Sequence, residues 1–149
     1  MAIRVQREDF DLGAELAALR AGRADIGALV SFTGLVRSDG DHVGGMELEH
    51  YPGMTEKALA KIEAEAQARW PLQASLVIHR FGVLAPGAQI MMVATASAHR
   101  QAAFAAAEFL MDYLKSRAPF WKKETGAEGA RWVEARTTDE AALQRWRDN

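Results

Sequence analysis

Between Asp112 and Glu124 the chain carries Lys115, Arg117, Lys122 and Lys123 with no acidic residue among them. In a protein of net charge −2, positive charge is thus gathered into one short stretch. Pro119 divides the run at a point where a helix has to stop, and Phe120 and Trp121 follow it, so part of the run is expected to be half-buried. A lysine in a partly desolvated place suits proton transfer or the holding of an anion. Two plainer accounts stand beside this one. Lys115 follows Asp112 by three residues, the spacing of a helical surface ion pair, and cations near a helix C-terminus are favoured for stability alone.

A second group is Ser97-Ala-His-Arg100. Ser97 is placed to cap a helix whose free N–H groups attract anions, Arg100 offers a fork for phosphate, and His99 titrates near neutrality. A solvated first turn would look the same. The third candidate is Arg37, closing Phe32-Thr-Gly-Leu-Val-Arg37, where Gly34 permits close approach of a ligand or another backbone. A surface charge at a strand end is the alternative. His50 and His79 stand among apolar residues with no second ligand at metal spacing and read as structural, so no metal and no cofactor is expected. The chain has no cysteine, which removes disulfides, a thiolate nucleophile and any persulfide of its own. If sulfur is handled here, another molecule carries it in.

The elements that must position these residues follow from periodicity. Asp11 to Arg20 has Leu12, Leu16 and Leu19 at helical spacing with Gly22 as a stop. Ile26 to Arg37 alternates as a strand, Ala28, Val30, Phe32 and Val36 on one face and Leu29, Ser31, Thr33, Leu35 and Arg37 on the other. A glycine-rich loop over 38–45 leads to a strand over 46–51. A helix over 55–70 carries Leu59, Ile62, Ala66 and Trp70 on one stripe. Strands over 74–81 and 89–97 flank a turn at Pro86-Gly87. A long helix over 99–117 is expected to bury Phe104, Ala107, Met111 and Leu114. A hairpin over 120–125 and 131–135 and a helix over 138–146 close the chain. The pattern is α+β, one domain over 1–149 with a mostly antiparallel sheet and flanking helices.

In order and spacing, six segments closely resemble the molybdopterin synthase large-subunit family. They are Phe32–Arg37, Leu48-Glu-His-Tyr-Pro-Gly-Met54, Ile78-His-Arg-Phe-Gly82, Ser97–Arg100, Asp112–Glu124 and Arg131-Trp-Val-Glu-Ala-Arg136. The likeness runs from about Gly27 to Trp146, and the segment from Lys115 to Glu124 is its most specific part. The resemblance implies an α/β hammerhead fold and a homodimer at the centre of a heterotetramer. It implies a small ubiquitin-like sulfur carrier as partner, whose C-terminal Gly-Gly thiocarboxylate enters the site. The substrate it implies is cyclic pyranopterin monophosphate, and the product is molybdopterin. Carried over position by position, the pocket falls on Leu35, Val36, Arg37, His99, Arg100, Lys115, Lys122, Lys123, Glu124 and Arg136. Lys115 would be the central acid/base group. Lys122 would contact the carrier's terminal glycine or an anionic intermediate. Arg37, His99 and Arg100 would hold phosphate and pterin. Leu35 departs from a family position that is often polar or basic; its backbone would still line the pocket.

His99 and Lys115 are sixteen residues apart on one expected helix, so about 24 Å separates them at 1.5 Å per residue. A pterin monophosphate does not bridge that distance, so the two groups serve one pocket only if it is shared between subunits. Rival readings are a non-catalytic module gripping an anion or a partner's tail, and a cyclic-phosphate hydrolase using Arg and His. Neither explains the lysine-rich Pro-Phe-Trp segment. Near-neutral charge gives no reason to expect nucleic acid, and no apolar stretch approaches bilayer length, so neither nucleic acid nor membrane is an expected partner. Arg4, Arg7, Glu8 and Asp9 interrupt any signal-like region, and a cytoplasmic protein is expected.

Overall fold

The computed structural model describes residues 2–38, 44–126, 129–133 and 137–147; for 122–126, 129–133 and 137–140 it describes the backbone alone. Its elements run β1 (Ala2–Gln6), α1 (Leu12–Arg20), β2 (Ala28–Leu35), β3 (Met46–His50), α2 (Met54–Arg69) and β4 (Leu72–Arg80). There follow β5 (Gly82–Leu84), β6 (Gln89–Ser97), α3 (Arg100–Arg117), β7 (Phe120–Gly126), β8 (Gly129–Val133) and α4 (Thr137–Arg147). The class is α+β as expected, but the expected single sheet is two, ordered β1-β4-β6-β2 and β5-β3-β7-β8. Every pairing is antiparallel except β1 with β4.

The first sheet is covered on both faces, which is why β4 and β6 read as near-continuous apolar runs. On one face Leu12, Leu16 and Leu19 of α1 meet Phe10, Leu76, Ile78, Met92 and Ala94. Asp11 starts that helix by accepting from the Ala14 N–H at 3.0 Å. On the other face Leu59, Ile62 and Ala66 of α2 and Phe109, Leu110 and Leu114 of α3 close over Val77, Met91 and Val93. A smaller core of Val36, Leu48 and Leu84 joins the end of the first sheet to the second, with Ile90 packing against both this core and the larger one.

Three local expectations need correction. Phe104 is not buried but 61% exposed, because α3 seats its alanines, Ala103, Ala106 and Ala107, toward the sheet. Small side chains let the helix lie close enough for the Thr95 hydroxyl to donate to the Ala103 carbonyl at 2.6 Å. Phe104, one residue and about 100° further round from Ala103, is thereby turned outward. Ser97 does not cap α3: it is buried in β6 and its hydroxyl donates to the Pro71 carbonyl, while His99 holds the cap position without a side-chain cap bond. The alternation of β2 breaks at an irregularity between Gly34 and Leu35. Leu35 is left exposed and Val36 is buried.

Candidate active site at the end of the long helix

Lys115 is exposed on the last turn of α3. The helix ends where Ala118 turns extended ahead of Pro119, and the Phe120 N–H donates to the Ala118 carbonyl at 2.8 Å, so β7 leaves through a tight corner. Phe120 and Trp121 are half-buried, as their place in the basic run led one to expect. In the register of β7, Phe120 stands opposite His50, Lys122 opposite Leu48, Lys123 opposite Glu47 and Glu124 opposite Met46. Strand alternation therefore puts Lys122 and Glu124 in one row with Phe120, and Lys123 in the other with Trp121.

Two histidines brace the corner from the framework. His50 approaches the Phe120 ring at 5.9 Å and meets Phe81 edge-on at 4.5 Å. Because the Thr55 hydroxyl donates to the Tyr51 carbonyl, its oxygen accepts from His50 Nδ1, at 3.0 Å. His79 stacks on Phe120 with ring centroids 3.7 Å apart and planes 17° from parallel. His79 Nδ1 lies 2.8 Å from the Arg80 carbonyl, which only accepts, so the ring proton sits on Nδ1. Burial pushes this imidazole down to about 4; the bond to the carbonyl opposes that fall, and the nearness of Lys115 and His50 adds to it.

Arg37 is exposed just beyond β2. It is anchored through Val36, whose N–H donates to the Ala88 carbonyl at 2.9 Å and whose carbonyl accepts from Gly87 at 2.7 Å. Val36 packs with Leu48, the residue opposite Lys122, and Ile90 links that cluster to Leu114, next to Lys115. Val36 thus packs beside the strand position of Lys122, and Lys115 stands near His79, the residue stacked on Phe120. His99 and Arg100 lie at the opposite end of α3, an unbroken helix of 18 residues, and Arg100 is about 22 Å from Lys115 at 1.5 Å per residue. Arg136 and the side chains of Lys122, Lys123 and Glu124 fall outside the described residues. What the sequence reading did not reach is the His79–Phe120 stack, which joins positions too far apart in the chain for spacing to betray. The repeated aromatic and histidine character of the two motifs was the only signal for it.

A lysine-bearing helix-to-strand corner braced between two sheets is the feature that this α+β fold sets at the end of α3. The class narrows on comparison. The profile of the MoaE protein family matches residues 5–117, and the chain belongs to that family. It is 68% identical over 146 residues to the molybdopterin synthase catalytic subunit of Ralstonia nicotianae, covering 97% of this chain and 83% of that one. It is 56% identical over 146 residues to the Escherichia coli protein of the same name, covering 97% of each. The solved molybdopterin biosynthesis MoaE protein of Burkholderia ambifaria superposes with a TM-score of 0.83 at 60% identity, over 98% of both chains. Molybdopterin synthase of Staphylococcus aureus superposes at 0.80 with 31% identity, over 88% of this chain and 96% of that one. Among the described residues no helix is long and apolar enough to cross a membrane.

Proposed function

We propose that this chain catalyses the molybdopterin synthase reaction, moving two sulfurs from the thiocarboxylated C-terminus of a small carrier subunit onto cyclic pyranopterin monophosphate. Family membership and the names of the relatives support the reaction. The observation that supports the residue assignment is the corner itself: α3 and β7 bring Lys115 and the Lys122 position to one place, with Phe120 between them. The substrate carries a phosphate and the carrier a thiocarboxylate, so cations are what the pocket needs most. Lys115 gives and takes protons as the C–S bond forms, Lys122 holds the carrier's terminal glycine or the anionic intermediate, and Arg37 holds phosphate. Lys123, Glu124 and Arg136 complete the pocket in this reading, and the backbone of Leu35 and Val36 forms its wall. The absence of cysteine fits, because the sulfur travels on the partner. The whole chain acts as one domain, in the cytoplasm.

The same reading makes the pocket common to two copies. Arg100, Phe104, Met111 and Lys115 follow one another along a single stripe of α3, at offsets that keep them on one side of the helix. Phe104 is exposed on that stripe, and Phe32 is exposed on edge strand β2, over which α3 packs. Two such stripes related by a two-fold axis near their middle run antiparallel, so Lys115 of one copy meets Arg100 and His99 of the other. That arrangement removes the separation along α3 and covers Phe32 and Phe104 together.

Purified protein with cyclic pyranopterin monophosphate and thiocarboxylated carrier should form product, read as the fluorescence of oxidised molybdopterin. Lys115→Ala should reduce the rate by about 10²-fold or more. Mixing Lys115→Ala with His99→Ala subunits should restore half the sites of each heterodimer. Product that survives Lys115→Ala unchanged would overturn the assignment of the residue, and mixed subunits without recovery would overturn the sharing.

A further inference from the structure

We propose that His79 is a positioning residue of the sulfur-transfer site: its ring, stacked on Phe120, holds the start of β7 against the end of α3 and so sets Lys122 relative to Lys115. This rests on the assignment of the reaction and site made above.

His79 is the penultimate residue of β4, in the first sheet, whereas Phe120 opens β7, in the second. Their stack is therefore a contact between the two sheets, made where the second sheet receives the chain from α3. At 3.7 Å it has the shortest centroid separation of the aromatic pairs among the described residues. Phe120 has little freedom on the other side, since its N–H is tied to the Ala118 carbonyl one residue past the helix. The seat of its ring against His79 adds to the β3 ladder, which begins at His50 opposite Phe120, in setting where β7 starts, and Lys122 is the next residue in the same row of that strand.

The imidazole supplies the flat face that this task needs. The bond from Nδ1 to the Arg80 carbonyl locks its plane, and its burial, at 9% exposure, keeps it a neutral face for stacking. A cationic ring there would stand beside Lys115. The charged or titratable groups near it are Lys115 from α3, His50 from β3 and Arg80 on its own strand. A histidine that only filled the core would affect folding, and catalysis only in proportion to it. A positioning histidine affects turnover in the folded enzyme, and a second flat ring replaces it.

The test compares the full-length enzyme with His79→Phe, His79→Gln and His79→Ala, using thiocarboxylated carrier and cyclic pyranopterin monophosphate. Phe keeps the ring and should retain kcat within about 3-fold, whereas Gln, which keeps a donor but no ring, and Ala should each lose about 10-fold or more. The KM for the pterin should stay within about 2-fold throughout, because phosphate is held elsewhere. Amide hydrogen exchange over residues 120–124 should quicken in the Gln and Ala variants and not in the Phe variant, whatever the turnover. Wild-type kcat in a folded Gln or Ala variant would sink the proposal, as would a Phe variant as slow as Ala. Should Ala fail to fold, the Phe and Gln pair carries the comparison. A wild-type enzyme that makes no product refutes the reaction assigned above, and hydrogen exchange then decides the stacking claim alone.

Discussion

Acid should destabilise this protein through His79. Its imidazole has a folded value of about 4 against 6.5 for the free group. The folded state therefore binds fewer protons than the unfolded chain between those values. Stability is full above 6.5 and is lost as the pH falls through 6.5 toward 4. Linkage makes that loss small at pH 7 and about 2 kcal/mol at pH 5. The perturbation is His79→Phe, which keeps an aromatic face and removes the titration. Urea unfolding of both proteins at pH 7, 6 and 5, at one protein concentration, gives the double difference. Other titrations cancel in it. Glu63, for example, is buried and accepts from the Ser75 hydroxyl at 2.5 Å, and its carboxyl is pushed up chiefly by burial. Its contribution therefore runs the other way, lost as the pH rises, and is common to both proteins. The wild type should lose about 2 kcal/mol more than the variant between pH 7 and pH 5, a midpoint shift of roughly 1 M urea. Parallel pH dependences in the two proteins would refute the claim that His79 is buried neutral.

Gly27→Ala should damage the start of α3, where the proposed pocket draws His99 and Arg100. A Cβ at Gly27 would lie 2.2 Å from the Ala98 carbonyl oxygen, so the backbone leading into His99 and Arg100 must shift. Steady-state kinetics should show the pterin KM raised by about 10-fold with a smaller change in kcat, and a loss of about 1–3 kcal/mol in stability is expected from the crowding. Phe104→Asp changes a side chain that touches solvent in the single chain, so subunit stability should move by no more than about 0.5 kcal/mol. In the shared-pocket arrangement the same change puts a charge into an apolar contact between copies. Light scattering should report monomers and the sulfur-transfer assay should report no product.

The elements that were legible in the sequence are those whose signals are local. All four helices were placed, the first two by apolar stripes that pack against the cores, and Pro119 and Gly22 mark ends that the backbone respects to within a residue or two. Two strands were not legible. In β1, five residues pair in parallel with β4, a partner about seventy residues on, so only the tertiary context identifies them. In β5, three residues between Arg80 and Ala85 are too few to establish a period. The burial of α3 was misjudged because hydrophobicity ranks Phe104 above Ala103, whereas close approach to Thr95 selects the smaller side chain.

The candidate site divides along the same line. Lys115, Phe120 and Lys122 were readable together because one helix-to-strand corner carries all three within eight residues. Arg37 follows Val36, whose packing with Leu48 and Ile90 crosses from one sheet to the other and leaves no mark in spacing. His79 was read as a framework residue, and in its hydrogen bonding it is one. Its consequence for the site appears only when the ring it stacks on turns out to be the first residue of the strand carrying Lys122. The helix that presents Lys115 at one end presents Arg100 at the other. One rigid element thus serves two places at once, which in a single chain separates the groups and in a symmetric pair brings them together. In the proposed shared pocket the dimer is a condition of the chemistry rather than an addition to it, and for that reason loss of the dimer and loss of Lys115 should silence the enzyme alike.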